Sequence, residues 1–165
     1  METEQENPIQ QLRSILESGE YNDEFLLQVT DLFPALIYVY DADKRKLRYI
    51  NRRITDLLGY AWEDVNTWEN DLNKIIFEED QPLVSKELEK YYQLDDNNSY
   101  SYNCRLNHKA GNYRYFKTIG TVLRRNEKGG PASMLFMAQD ITEQMLVEEE
   151  KKAVRKLMED TEEML

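Results

Sequence analysis

A chain of 165 residues suits one domain with appendages, because a single core usually takes about 100 to 150 residues. Hydrophobic residues at 41% can bury such a core, while 32% charged residues and a net charge of -11 describe a solvated, acidic surface that repels phosphate backbones and anionic lipid heads. A single cysteine, Cys104, and a single histidine, His108, exclude an internal disulfide and a zinc site, and no apolar run approaches the ~20 residues that cross a bilayer.

The opening METEQENP lacks the basic and then apolar order of a signal peptide, so a cytoplasmic protein, or the cytoplasmic part of a longer one, is expected. Ile9, Leu12, Ile15 and Leu16 recur at helical spacing, a stripe too short to be stable alone; a copy of itself in a second chain is one surface it can lean on. Ser18-Gly19 breaks the pattern, Asn22 or Asp23 caps a second helix over 24–32, and Pro34 ends it. Phe25, Leu26, Val29, Leu32 and Phe33 are expected to face the sheet.

Residues 35–41 (ALIYVYD) are apolar on both alternating faces, as in a central strand, and which of those faces turns inward is not fixed. A polar turn at 43–46 returns the chain as LRYIN over 47–51, followed by a short helix over 52–58 that stops at Gly59. EEDQP at 78–82 opens a helix predicted over 79–94, with Leu83, Val84, Leu88 and Tyr91 or Tyr92 inward. Three strands follow over 99–108, 113–124 and 131–140, their short links making neighbours antiparallel. Two strands, several helices and three strands give an α+β class: a five-stranded antiparallel sheet with helices over one face, an N-terminal flanking helix and a C-terminal helix.

LRYINRRITDLLGY at 47–60, FEEDQPLV at 77–84, CRLNHKAGNYRYF at 104–116 and Asp140-Ile141-Thr142 together resemble a PAS domain, the match covering roughly residues 24–145. Tyr115 stands where many members carry tryptophan, and Asn103 where many carry an acid; neither alters the fold. The resemblance implies a signalling module divided as a flank over 1–23, a PAS domain over 24–142 and an exit helix over 143–165. It further implies that Asp140 pairs with Arg114, and that Arg114, Asp140, Ile141 and Thr142 relay a change to that helix. The plain alternative is that Asp140 only caps the helix.

PAS domains often hold a small molecule between sheet and helices. Haem is disfavoured because His108 lies beside a strand turn rather than on a helix. A covalent flavin is disfavoured because Cys104 sits in an alternating strand rather than on a helix between the strand groups. Tyr38, Tyr40, Tyr102, Cys104 and Met137 are the candidate lining of a ligand cavity, set against the simpler reading that such residues fill a core.

Beyond Thr142, a run free of proline and glycine places Val147, Glu150, Val154, Leu157, Thr161 and Met164 at heptad core positions. Two of the six are polar, so a marginal coiled coil and a homodimer through Val147, Val154 and Leu157 are expected, against a helix folding back on its own sheet. The pattern runs to Leu165 without a stop signal, which suggests an effector beyond; the resemblance makes it a histidine kinase of a two-component system or a nucleotide cyclase. No catalytic constellation is present, so the chain reads as a sensor rather than an enzyme, or as a ligand-free PAS domain for protein interaction.

Overall fold

The computed structural model describes residues 8–17 and 23–164. The expected break at Ser18-Gly19 and cap at Asn22 lie outside the described residues, as do the side chains of Asp23, Phe25 and Leu26. In chain order the elements are α1 (Pro8–Glu17), α2 (Asp23–Thr30), β1 (Leu36–Asp41), β2 (Lys46–Ile50), α3 (Arg53–Leu58), α4 (Trp62–Thr67), α5 (Gln81–Glu89), β3 (Tyr100–Asn107), β4 (Tyr113–Arg125), β5 (Pro131–Asp140) and α6 (Thr142–Glu163). The strands form one antiparallel sheet in the order β2-β1-β5-β4-β3. The last strand therefore lies at the centre beside the first, and whatever moves the sheet moves the point from which α6 leaves.

Period-two alternation divides this sheet into two apolar faces. Leu36, Tyr38, Cys104, Phe116, Met134 and Phe136 point inward against α3, α4 and α5. Ile37, Val39 and Leu135 point outward and are covered by Ile9 and Leu12 of α1, both fully buried. The stripe on α1 thus finds its cover on its own sheet. Burying each such side chain contributes about 1.5–3 kcal/mol, which a ten-residue helix needs because it cannot nucleate alone.

Asn51 joins the two layers. Its side chain is fully buried, accepts from Ile37 N at 3.0 Å, and donates to Thr30 O at 3.1 Å and Ala35 O at 3.0 Å. Gly120 allows close approach, since a Cβ there would stand 2.6 Å from the Phe136 ring and 2.8 Å from Tyr91.

Two expectations are corrected. The helix predicted over 79–94 is three pieces: a 3₁₀ turn at Glu78–Asp80, α5, and a 3₁₀ turn at Lys90–Gln93. Val84, Leu88 and Tyr91 keep the inward face at spacings of four and three, so Leu83, one position round, is 45% exposed and Tyr92 turns outward. Leu32 is 81% exposed, because α2 ends at Thr30 and the turn that follows aims Phe33 and not Leu32 at the outer cluster.

Candidate functional site

Between the sheet's inner face and α5 lies a cavity of about 40 Å3. Tyr38, Tyr40, Tyr102 and Cys104 all line it, joined by Thr118, Phe136, Val84 and Leu88, with Asp71 and Asn73 at its mouth. Met137 does not. It pairs with Ile37 and Ile119 across the sheet and packs in the outer cluster, because β5 turns its even-numbered residues, Met134 and Phe136, inward. The same parity settles β1: Tyr38 and Tyr40 face in, Ile37 and Val39 out.

The lining is mostly apolar, with hydroxyl and thiol groups inside and a carboxylate, Asp71, at the mouth. The Tyr38 hydroxyl meets those of Tyr102 and Thr118, and the Cys104 thiol also meets Thr118. Burial pushes the phenols of Tyr38 and Tyr102 well above their ordinary range, so both stay protonated at neutral pH. Burial, with the nearby charge of Asp80, pushes the Cys104 thiol up to about 12, so it acts as a small apolar group with a weak donor and not as a nucleophile. Tyr38 stacks on Phe136 with centroids 5.0 Å apart, and Tyr91 meets the same ring edge-on at 5.3 Å. A cavity of this size has room for waters or a very small group; pockets for drug-sized ligands run to about 300–1,000 Å3.

The helix root is built from β4 and the end of β5. Arg114 Nε donates to Asp140 Oδ2. The other carboxylate oxygen accepts from Thr142 N at 2.9 Å and from the Thr142 hydroxyl at 2.6 Å, so Asp140 pairs with Arg114 and also takes up the first N–H of α6, whose N-cap position is Ile141. Tyr115 N donates to Thr142 Oγ1 at 3.0 Å, and Ile141 N donates to Tyr115 O at 2.8 Å. Burial works against the Asp140 carboxylate, but the bonds from Arg114 and Thr142 outweigh it and hold the group below its ordinary range. Past this root α6 touches little: none of its described residues is buried, and Leu146, Val147, Val154, Leu157 and Met158 are each about half exposed or more. The helix does not fold back on the sheet.

A second ionic centre was missed in the sequence. Asp80, just before α5, accepts from Arg105 N at 2.7 Å, Nε at 2.9 Å and Nη2 at 2.6 Å. The Arg105 guanidinium also lies over the Phe77 ring, 4.3 Å from its centroid. The signal was available only as an acid at a helix start, a position that a dipole already explains.

Among the described residues no helix is long and apolar enough to cross a membrane, and no group of three or more His, Cys, Asp or Glu side chains is placed to hold a metal.

Several solved structures share this arrangement. A sensory box histidine kinase/response regulator from Burkholderia thailandensis superposes with a TM-score of 0.64 at 17% identity, covering 84% of this chain and 99% of that one. The PAS domain of a protein from Colwellia psychrerythraea gives 0.57 at 17% identity, covering 73% and 97%. The N-terminal domain of a diguanylate cyclase with a PAS/PAC sensor from Marinobacter aquaeolei gives 0.53 at 20% identity, covering 67% and 98%. At these identities the likeness speaks for the fold. No curated protein matches the chain. The sequence model of the PAS fold matches residues 47–138, more than half the chain and most of the span from β2 into β5, and the protein belongs to the PAS-fold family.

Proposed function

We propose that the protein is a sensory module in which a small molecule in the tyrosine-lined cavity biases the Arg114, Asp140, Ile141 and Thr142 root, and α6 carries that bias to an effector. The observation that supports this most is the contrast along α6: at its root Thr142 is tied to the sheet by three hydrogen bonds and Ile141 by a fourth, while its apolar stripe beyond is bare. A helix fixed at its root and unpartnered along its length suits a device whose output is an angle or a register.

In this reading residues 1–23 are a flank, 24–142 the PAS domain and 143–165 the output helix. Two copies pair through Val147, Val154 and Leu157 in the cytoplasm, and the effector is of the histidine kinase or diguanylate cyclase kind, as in the proteins named by two of the similar structures. The catalysis belongs to that effector. The small cavity favours a second reading, a ligand-free PAS domain whose filled core serves association alone.

Native mass spectrometry of gently purified protein, beside sedimentation of the wild type and of Val154→Asp with Leu157→Asp, tests both. Extra mass lost on denaturation supports the sensor, and a clean apo dimer supports the association module. The double variant is expected to sediment as a monomer with an unchanged core spectrum; if it stays dimeric, α6 is not the seam.

A further inference from the structure

Outside the mouth of the cavity, the β1–β2 turn faces the loop after α4 across a cleft of about 490 Å3. Arg45, Lys46 and Lys74 line it with Trp68, and Asp71 and Asn73 belong to both the cleft and the inner cavity, so the two spaces share a wall. Lys44 and Arg48 rim the adjoining hollow, which also contains Lys46. Five cations thus converge on one corner of a chain whose net charge is -11.

Among the described residues none of the five has an ion-pair partner, whereas Arg52, Arg53, Lys90, Arg105, Lys109, Arg114 and Arg125 all do. Two acids, Glu69 and Asp71, oppose Arg45, Lys46 and Lys74 in the cleft. Asp71 is partly spent, its Oδ1 accepting from Asn73 N at 3.1 Å.

The backbone around the cleft is strained. Arg45 (φ 55°), Glu69 (φ 53°) and Asn70 (φ 61°) are all the described non-glycine residues with positive φ, and every one borders the cleft or the adjoining hollow. Leu47 N donates to Asn70 O at 2.8 Å and holds the loop in this shape. Such strain persists where surrounding structure imposes it, most often at binding sites.

We propose that this cleft binds a small organic anion, a carboxylate or a phosphate ester, with its charge on Arg45, Lys46 and Lys74 and its body against Trp68 and toward Tyr40. Asp71 and Asn73 line both spaces, so a ligand seated in the cleft abuts the cavity that Tyr40 lines. The described lining of the inner cavity contains no lysine or arginine, so an anionic group there would be desolvated without a partner, and the charge stays at the mouth. The inference deepens the sensor reading by giving the ligand a class, and rests on it only for the consequence at α6.

The test is an NMR titration of backbone amides in the full chain with sodium benzoate, inorganic phosphate, and sodium chloride at matched ionic strength. Saturable shifts at Arg45, Lys46, Trp68 and Lys74 are expected, weakened at least tenfold by Lys46→Ala with Lys74→Ala, two exposed positions whose loss leaves the core spectrum unchanged. A response to benzoate alone assigns a carboxylate with an apolar body, and a response to phosphate alone assigns a phosphate ester. Shifts absent, or equal with chloride, overturn the proposal and leave the sensor reading to its own test. Saturation in the cleft with α6 amides and sedimentation unchanged upholds the anion site and overturns the sensor reading.

Discussion

Asp80 carries three charge-assisted hydrogen bonds from one arginine 25 residues on, two of them from its guanidinium. Arg105 holds its carboxyl below the ordinary value of 3.8, against the opposing pull of burial. A depressed carboxylate contributes stability that is present above the unfolded value and lost as pH falls through the folded one. Asp80→Asn is therefore expected to lower stability at pH 7 by about 2 kcal/mol, since the Arg105 charge loses its partner, and to flatten the acid limb between about pH 5 and 3. Urea midpoints across that range check both, and an unchanged acid limb would show that other carboxylates dominate it. FEEDQPLV was legible as a helix start, but its partner was not, because a strand residue 25 positions on becomes a neighbour only once the chain folds.

At the scale of elements, α1 is held by its apolar stripe and by two polar latches. Gln10 Nε2 donates to Thr121 Oγ1 at 3.3 Å, and Arg13 Nη1 donates to the Asp96 carbonyl. Leu12→Ala is expected to cost about 2–5 kcal/mol, the range for a fully buried leucine in a core, measured by denaturant melting. A loss below 0.5 kcal/mol would mean that α1 is not part of the cooperative unit. The spacing of Ile9, Leu12 and Leu16 announced an amphipathic helix, but not which surface it would meet. Strand parity behaved likewise: alternation along 131–140 separated Met134 from Met137, and only the packing of the neighbouring elements decided which methionine faced α5 and which faced α1.

For the whole molecule, the sheet order puts the C-terminal strand at the centre and launches from it a 22-residue helix about 33 Å long. The proposed pairing gives the apolar stripe of this helix a partner, and packing of such a stripe is where most helical stability in proteins comes from. Amide exchange should therefore be fast beyond Glu148 in dilute protein and slow at concentrations that drive pairing, while β5 stays protected throughout. Protection independent of concentration would mean that α6 is stable as a lone rod.

The order of strands and helices, the alternation in β3, the turns at Gly59 and Gly111, and the charged helix after Thr142 were all written locally, in periods of 2 and 3.6 and in the few residues that end such periods. They determined the fold class and the PAS resemblance. The cover on the outer face, the inward parity of β1, the Asp80 and Arg105 pair and the cationic cleft were decided only in the tertiary structure. Each depends on side chains from distant segments meeting, and local periodicity carries no record of which surface a face will find.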